Sequence, residues 1–265
     1  MIQLIGVGKR YGRGPLVVTG IDAEIRRGVP LVVLGTNGSG KSTLLRIVAG
    51  CLAPTRGRVV GRPATVGYVP DRFPARLRMP ADAYLRHLRR VRPGRPSGSD
   101  PSILLAELGF RGDPHTAMNR LSKGNAQKVG LAQALCSGAP LLVLDEPWSG
   151  LDVDARPVLT AAVEGLVAAG AAVVVTDHTH TAESLPGQRT VRLHQGRLTD
   201  AEVDARGVTI TLRGANPNLV VPRLPSQVIV ERRAREVLLR VPAQDVDALL
   251  FNALQLGWSV REVRP

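Results

Sequence analysis

A chain of 265 residues, 44% hydrophobic and 22% charged, has a globular balance and enough length to bury a sizeable core. Its longest uncharged apolar stretch, residues 165–176, is 12 residues, short of the roughly 20 that a membrane-spanning helix needs. The net charge is +13, and the only two cysteines, Cys51 and Cys136, exclude a disulfide framework. Both cysteines lie in apolar helical contexts and read as buried, inert thiols of a reducing compartment.

The first residues, Met1-Ile2-Gln3-Leu4-Ile5-Gly6, lack the charged-then-apolar layout of a signal peptide. Residues 3–25 read as short strands around the turn Gly12-Arg13-Gly14-Pro15. Leu31-Val32-Val33-Leu34 is apolar on both faces, as a buried parallel strand is. Gly35-Thr36-Asn37-Gly38-Ser39-Gly40-Lys41-Ser42-Thr43 follows, a complete phosphate-binding loop of pattern G-x-x-x-x-G-K-[ST]. Residues 42–49 then read as a helix, with Leu44, Leu45 and Val48 on one side and Gly50 as its stop. Strand, glycine-rich turn and helix are the context that this motif requires. The glycines let the backbone approach a phosphate with no Cβ in the way. The N–H groups at the helix start attract the anion. Lys41 is placed to reach the β- and γ-phosphates of a nucleotide, the Ser42 hydroxyl to ligate Mg²⁺, and Thr43 to line the loop.

Val66–Val69 reads as another strand and leads to Asp71, after which residues 72–136 read as a helical region with a turn-rich loop at 92–99. Eight arginines (Arg72, Arg76, Arg78, Arg86, Arg89, Arg90, Arg92 and Arg95) crowd its start, opposed only by Asp82. Three readings stand: a solvated helix face, a docking face for a protein partner or an anionic membrane, and a nucleic-acid site. The chain holds 31 arginines against four lysines, a general bias that favours the first. No aromatic residues interleave with the arginines, which counts against the last.

Further on, Ser122 in Leu121-Ser122-Lys123-Gly124-Asn125 is a good cap for a helix reaching about Cys136. Its hydroxyl and the free N–H groups of that helix end form an anion site. Leu141-Leu142-Val143-Leu144 is a second buried-strand run, and it ends in two carboxylates. Asp145 is suited to hold an Mg²⁺ shell through water, and Glu146 to orient and polarise an attacking water. Two acids at a strand end are often plain surface; the phosphate loop upstream gives these a role.

The order of the segments, a phosphate loop, then LS-x-G, then an apolar strand ending in Asp145-Glu146-Pro147, resembles the ATP-binding subunit of ABC transporters over about residues 1–200. The resemblance implies an α/β fold: a P-loop NTPase core with an antiparallel edge sheet, and a helical subdomain at about 72–136. It implies ATP and Mg²⁺ as ligands and ATP hydrolysis, with Glu146, His178 and Lys41 catalytic. His178 follows the apolar strand Ala172–Thr176 where the family has a switch histidine contacting the γ-phosphate. Tyr11 stands where the family places an aromatic on adenine. Ser149-Gly150-Leu151-Asp152 resembles the D-loop, which crosses the dimer interface. Ser122, Lys123, Gly124 and Asn125 resemble the signature segment, which binds the γ-phosphate held by the other subunit; Asn125 stands where Gln is more common. Asp71 aligns with a usual Gln that contacts Mg²⁺ and the transport partner. A carboxylate cannot donate a hydrogen bond, yet it accepts from metal-bound water.

One phosphate loop and one signature imply a head-to-tail pair with a second ATPase subunit, identical or a paralogue, closed by ATP and released by hydrolysis. A transmembrane permease is the other implied partner. The chain is then expected in the cytoplasm, peripherally associated with the inner face of the cell membrane.

After Asp200 the pattern changes. Residues 208–212, 228–230, 237–241 and 260–263 read as short strands. Val246, Leu249, Leu250, Ala253 and Leu254 form one apolar helix face, stopped by Gly257. Residues 201–265 are thus expected to form a small α+β appendage, read by resemblance as a dimerisation or regulatory unit or, more plainly, as packing ballast. The LSKG form of the signature and this extension resemble ABC-2 and drug-exporter ATPases more than importers. Two other readings stand beside a transport ATPase. One is a soluble ABC ATPase acting on nucleic acid or the ribosome; a single cassette and the lack of sustained heptads count against it. The other is a nucleotide-sensing module without turnover, against which Glu146 and His178 count.

Overall fold

The computed structural model describes residues 1–73, 77–91, 100–177, 181–200, 208–214, 228–233, 235–241 and 246–264. The chain divides into two compact units, Met1–Asp200 and Ala201–Pro265. The first runs β1 (Ile2–Arg10), β2 (Leu16–Ile25), β3 (Leu31–Leu34), α1 (Lys41–Ala49), β4 (Arg56–Val60), β5 (Val66–Val69), α2 (Ala81–Val91), α3 (Pro101–Glu107), α4 (Lys123–Leu135), β6 (Leu141–Asp145), α5 (Ala155–Ala168), β7 (Ala172–Thr176), β8 (Arg189–His194) and β9 (Arg197–Asp200).

Six strands form the central sheet in the order β5-β6-β7-β3-β8-β9, parallel except for the β8–β9 hairpin. The double-sided apolar runs explain its place. In β3, β6 and β7 alternate residues point to opposite faces. Leu31, Val33, Leu141, Val143, Ala172 and Val174 enter one core with α1 and with the strands β1 and β2. Val32, Leu34, Leu142, Leu144, Val173 and Val175 enter a second core with α3, α4 and α5. A strand with no polar face requires cover on both sides, and both sides are covered.

The antiparallel sheet β2-β1-β4 is hydrogen-bonded separately and packs on the same core as one face of the parallel sheet. Its two long strands have nine and ten residues, longer than the short strands expected, and register shifts interrupt their pairing. Two elements carried little signal. β4 is a largely exposed Arg-Gly-Arg-Val-Val segment in which only Val59 packs against the core, too little for an apolar face to read. α5 is apolar nearly all round, and its helical period shows only in the buried set Ala155, Leu159, Val163 and Val167.

The helical region holds α2, α3 and α4. Three of the run's arginines have carboxylates near: Arg86 pairs with Asp82 at 2.6 Å, Arg89 faces Asp100 at 3.6 Å, and Arg72 lies 4.0 Å from Asp71. The face is less bare than eight arginines against Asp82 suggest, although exposed pairs of this kind contribute only about 0–1 kcal/mol each. Arg76, Arg92 and Arg95 lie outside the described residues.

The second unit contains β10 (Val208–Gly214), β11 (Val228–Arg233), β12 (Glu236–Val241), α6 (Val246–Gln255) and β13 (Trp258–Arg264). Its sheet is antiparallel in the order β11-β12-β10-β13. Ile210, Leu212, Val237, Leu239, Val241, Leu249, Ala253 and Trp258 form its core. Leu254 does not join them: it is exposed, so the buried stripe of α6 centres on Leu249 and Ala253 with Val246 and Leu250 at its edges.

Cys51 also departs from expectation. Gly50 ends α1 in the left-handed conformation (φ 81°), which turns the chain outward and leaves Cys51 exposed, whereas Cys136 is buried at the end of α4. A thiol reagent is expected to modify one cysteine rapidly in the native protein, and Cys51→Ser to abolish that reaction. Two equally slow thiols, counted spectrophotometrically before and after denaturation, would contradict the exposure assigned here.

Candidate nucleotide site

The register of the parallel strands fixes the site. Asp145 pairs with Thr176, and Val33 with Thr176, so β3, β6 and β7 end at one level. The segments that follow their carboxyl ends therefore meet, where open α/β sheets form their ligand crevices. A cleft of about 680 Å³ opens there, lined by Gly35, Thr36, Asn37, Gly38, Gly40, Lys41, Ser42 and Thr43, by Val17 from β2, and by Asp71 and Glu146.

The loop is shaped by backbone constraint. Gly40 caps α1 with φ 104°, and a Cβ there would lie 2.9 Å from the Val17 carbonyl oxygen. Both conditions demand glycine. The first turn of α1 has no acidic residue to compete for its free N–H groups. Lys41 is nearly buried, at 7% exposure. Its ammonium donates to the Gly35 carbonyl at 2.7 Å and the Thr36 carbonyl at 3.4 Å, and lies 3.7 Å from Glu146 Oε1. Ser39 Oγ is buried without a hydrogen-bond partner.

Behind the cleft, one hydroxyl joins the two acids. Thr176 Oγ1 donates to Asp145 Oδ1 at 2.7 Å and accepts the Glu146 backbone N–H at 2.9 Å. Glu146 has φ 55°, a left-handed conformation that costs a non-glycine residue about 1–3 kcal/mol. Thr176 holds it there. Asp145 is 1% exposed, and its Oδ2 has no partner. An unpartnered buried carboxylate oxygen fits a polar ligand such as metal-bound water. Among the described residues no cluster of three or more His, Cys, Asp or Glu could hold a metal by itself. Ser42 and Asp71 line the cleft and, with the buried Asp145 oxygen, offer the hard oxygen donors that Mg²⁺ takes.

The remaining expected residues fall in three places. Tyr11 is exposed; its hydroxyl lies 3.2 Å from Thr43 Oγ1, and Lys9 Nζ stands 5.7 Å from its ring centroid. His178 lies outside the described residues. Ser122, Lys123, Gly124 and Asn125 line no part of this chain's own cleft. They form the N-terminal tip of α4, where Ser122 Oγ accepts the Asn125 N–H at 3.2 Å, a cap contributing about 1 kcal/mol. Ser122 and Lys123 are exposed. The Asn125 amide is turned inward: it donates to the Arg111 carbonyl at 2.8 Å and accepts the Arg111 N–H at 3.4 Å. Asp152 pairs with Lys128 at 2.7 Å, and the hydrogen bond and charge of Lys128 hold its carboxyl below the usual range.

Two buried polar residues were given no role from sequence, Thr176 behind the cleft and Lys128 on α4 away from it. Thr176 is the one polar residue of an otherwise apolar buried strand, and that was its signal. Lys128 is a charge on a helix buried almost all round.

The fold and cleft define an α/β nucleotide-binding protein of the phosphate-loop class. A family model described as ABC transporter matches residues 18–149. The chain is 37% identical over 201 residues to the aliphatic sulfonates import ATP-binding protein SsuB 1 of Nocardia farcinica, covering 74% of this chain and 79% of that protein. It is 37% identical over 202 residues to SsuB 1 of Paraburkholderia xenovorans and 34% identical over 161 residues to the zinc import ATP-binding protein ZnuC of Saccharophagus degradans. The matches cover 74% and 59% of this chain, but only 58% and 61% of those two relatives. Among solved structures, a dimeric post-hydrolysis state of the ATP-binding cassette MJ0796 with ADP and Pi superimposes with a TM-score of 0.65 at 24% identity, covering 76% of this chain and 98% of that one. That likeness shows the fold. The chain belongs to the ABC transporter ATP-binding family.

Thr176→Val keeps the shape of the side chain and leaves Asp145 Oδ1 and the Glu146 N–H without their shared partner. The expected loss of stability is about 1–3 kcal/mol in denaturant unfolding. A loss within experimental error would show that the hydroxyl does not hold the two acids.

Proposed function

We propose that this chain is the ATP-hydrolysing subunit of a membrane ABC transporter. The observation that carries the reading is the meeting of Lys41, Ser42, Asp71 and Glu146 in one cleft, with the unpartnered Asp145 Oδ2 buried behind it. ATP would lie with its phosphates on the N–H groups of the loop and of the start of α1. Lys41 would exchange the Gly35 and Thr36 carbonyls for phosphate oxygens, a short move for a flexible side chain. Glu146, fixed by its strained backbone and by Thr176, is the base that orients and polarises the attacking water. His178 would contact the γ-phosphate, and Tyr11 would face the adenine. Mg²⁺, when bound, neutralises charge on the phosphates; Ser42 and the carboxylates of Asp145 and Asp71 would hold it.

The signature tip supports a two-chain site. It lines no part of its own cleft and presents an exposed hydroxyl at a positive helix end. Two copies, or a copy and a paralogue, would each seal the other's ATP head to tail through Ser122 and Gly124. Among the described residues no helix is long and apolar enough to cross a membrane. A transmembrane permease would therefore supply the pathway, with this chain docked on it from the cytoplasm. The relatives carry import names, for aliphatic sulfonates and zinc, so nothing among them supports the exporter direction suggested by the LSKG form and the C-terminal extension. For residues 201–265 we propose a role in dimerisation or regulation.

Glu146→Gln is expected to bind ATP, to lose about 10²–10⁴-fold in turnover, and to accumulate as a closed dimer in sedimentation with ATP. Undiminished turnover would remove Glu146 as the base. Asp71→Gln is expected to keep ATPase activity, since both side chains accept a hydrogen bond from metal-bound water; complete loss of phosphate release would show that the carboxylate itself is needed.

A further inference from the structure

Among the described residues only two side-chain cations are buried, Lys41 and Lys128. Lys41 belongs to the phosphate loop. Lys128, 3% exposed, lines no part of the cleft; it sits on α4 six residues past Ser122. Its ammonium donates to the Gly109 carbonyl at 2.8 Å, just past the end of α3, and to Asp152 Oδ2 at 2.7 Å, in the segment after β6. An ammonium taken out of water is costly, and an apolar side chain of the same length would fill that space at no such cost. What the charge adds is a directional tie between three segments.

The segment it holds begins at Glu146. The Ser149 N–H donates to the Glu146 carbonyl at 3.0 Å, and the Leu151 N–H to the Trp148 carbonyl at 3.3 Å. Trp148 is fully buried, and its indole N–H bonds Thr160 Oγ1 at 3.1 Å, which pins the turn to α5. On the other side, a Cβ on Gly124 would lie 3.6 Å from the Gly150 carbonyl oxygen, so the first turn of α4 rests against the same segment. The loop from Glu146 to Asp152, braced by these turn bonds, is thus tied through Asp152 to Lys128 on α4, the helix that Ser122 caps.

We infer that Lys128 is a positioning residue, which ties the signature tip offered to the partner's nucleotide to the loop that carries this chain's own Glu146. The inference rests on the two-chain site proposed above. One protomer's hydrolytic loop and the seal on its partner's ATP then move together, tied by this buried charge beside the Gly124–Gly150 approach.

The test uses the full chain. Monomer ATP affinity and the ATP-driven dimer constant are measured in the Glu146→Gln background, and kcat and KM in the unmodified one. Lys128→Met keeps the length and loses the charge. It is expected to leave monomer ATP affinity within about twofold, to weaken the ATP-driven dimer by roughly tenfold or more, and to lower kcat rather than raise KM. Lys128→Arg restores most of the dimer affinity and of kcat. Asp152→Asn, at a largely exposed position, moves both in the same direction, and the double variant is no worse than Lys128→Met alone. Parental dimer affinity and kcat in folded Lys128→Met, or in Asp152→Asn should the first not fold, overturn the inference and leave the proposed function standing. So does a lowered Tm with both quantities unchanged. A Glu146→Gln chain that neither binds ATP nor dimerises with it overturns the proposed function, and this inference with it.

Discussion

The site depends on one pairing, the parallel register that aligns Asp145 and Val33 with Thr176. Side chains alternate in a strand, so a slip of one residue would exchange its two faces. Leu141, Val143, Ala172 and Val174 would then leave the core they share with α1, and Leu142, Leu144, Val173 and Val175 the other. Both faces are apolar, so the fit of these side chains to their cores, together with the Thr176–Asp145 hydrogen bond, locks the register. The placement of the phosphate loop against the two carboxylates is a by-product of that lock.

Within this frame the polar groups are few and closely coupled. Thr176 serves two acids with one hydroxyl, and Glu146 is held in a conformation it would not adopt freely. Lys41 waits on loop carbonyls 3.7 Å from Glu146. Such a cluster is preorganised: its costs of burial and strain are met by core packing, and its geometry need not be assembled when nucleotide arrives. The same economy marks the tip of α4, where Ser122 caps the helix and the Asn125 amide bonds the Arg111 backbone.

Much of this was legible in the sequence because two periodicities speak plainly there. Continuous apolar runs gave β3, β6 and β7 almost to the residue, and glycine stops gave the ends of α1 and α6. The phosphate loop and the acidic strand end announced a nucleotide cleft through residue types that serve little else at that spacing. What stayed hidden had no local signature. β4 is paired by β1 and carries no apolar face of its own. The inward turn of Asn125 and the burial of Lys128 depend on Arg111, Gly109 and Asp152, partners distant along the chain. Cys51 and Leu254 looked buried by neighbourhood, and a left-handed glycine and a narrow helix stripe exposed them.

A structure of the Glu146→Gln chain with ATP and Mg²⁺ would probe this arrangement most directly. The triphosphate should lie in the loop 35–43, with Lys41 moved from the Gly35 carbonyl onto a phosphate oxygen and Asp145 facing the metal through water. Nucleotide bound elsewhere, with Lys41 still on its carbonyls and Asp145 remote from any metal, would contradict it.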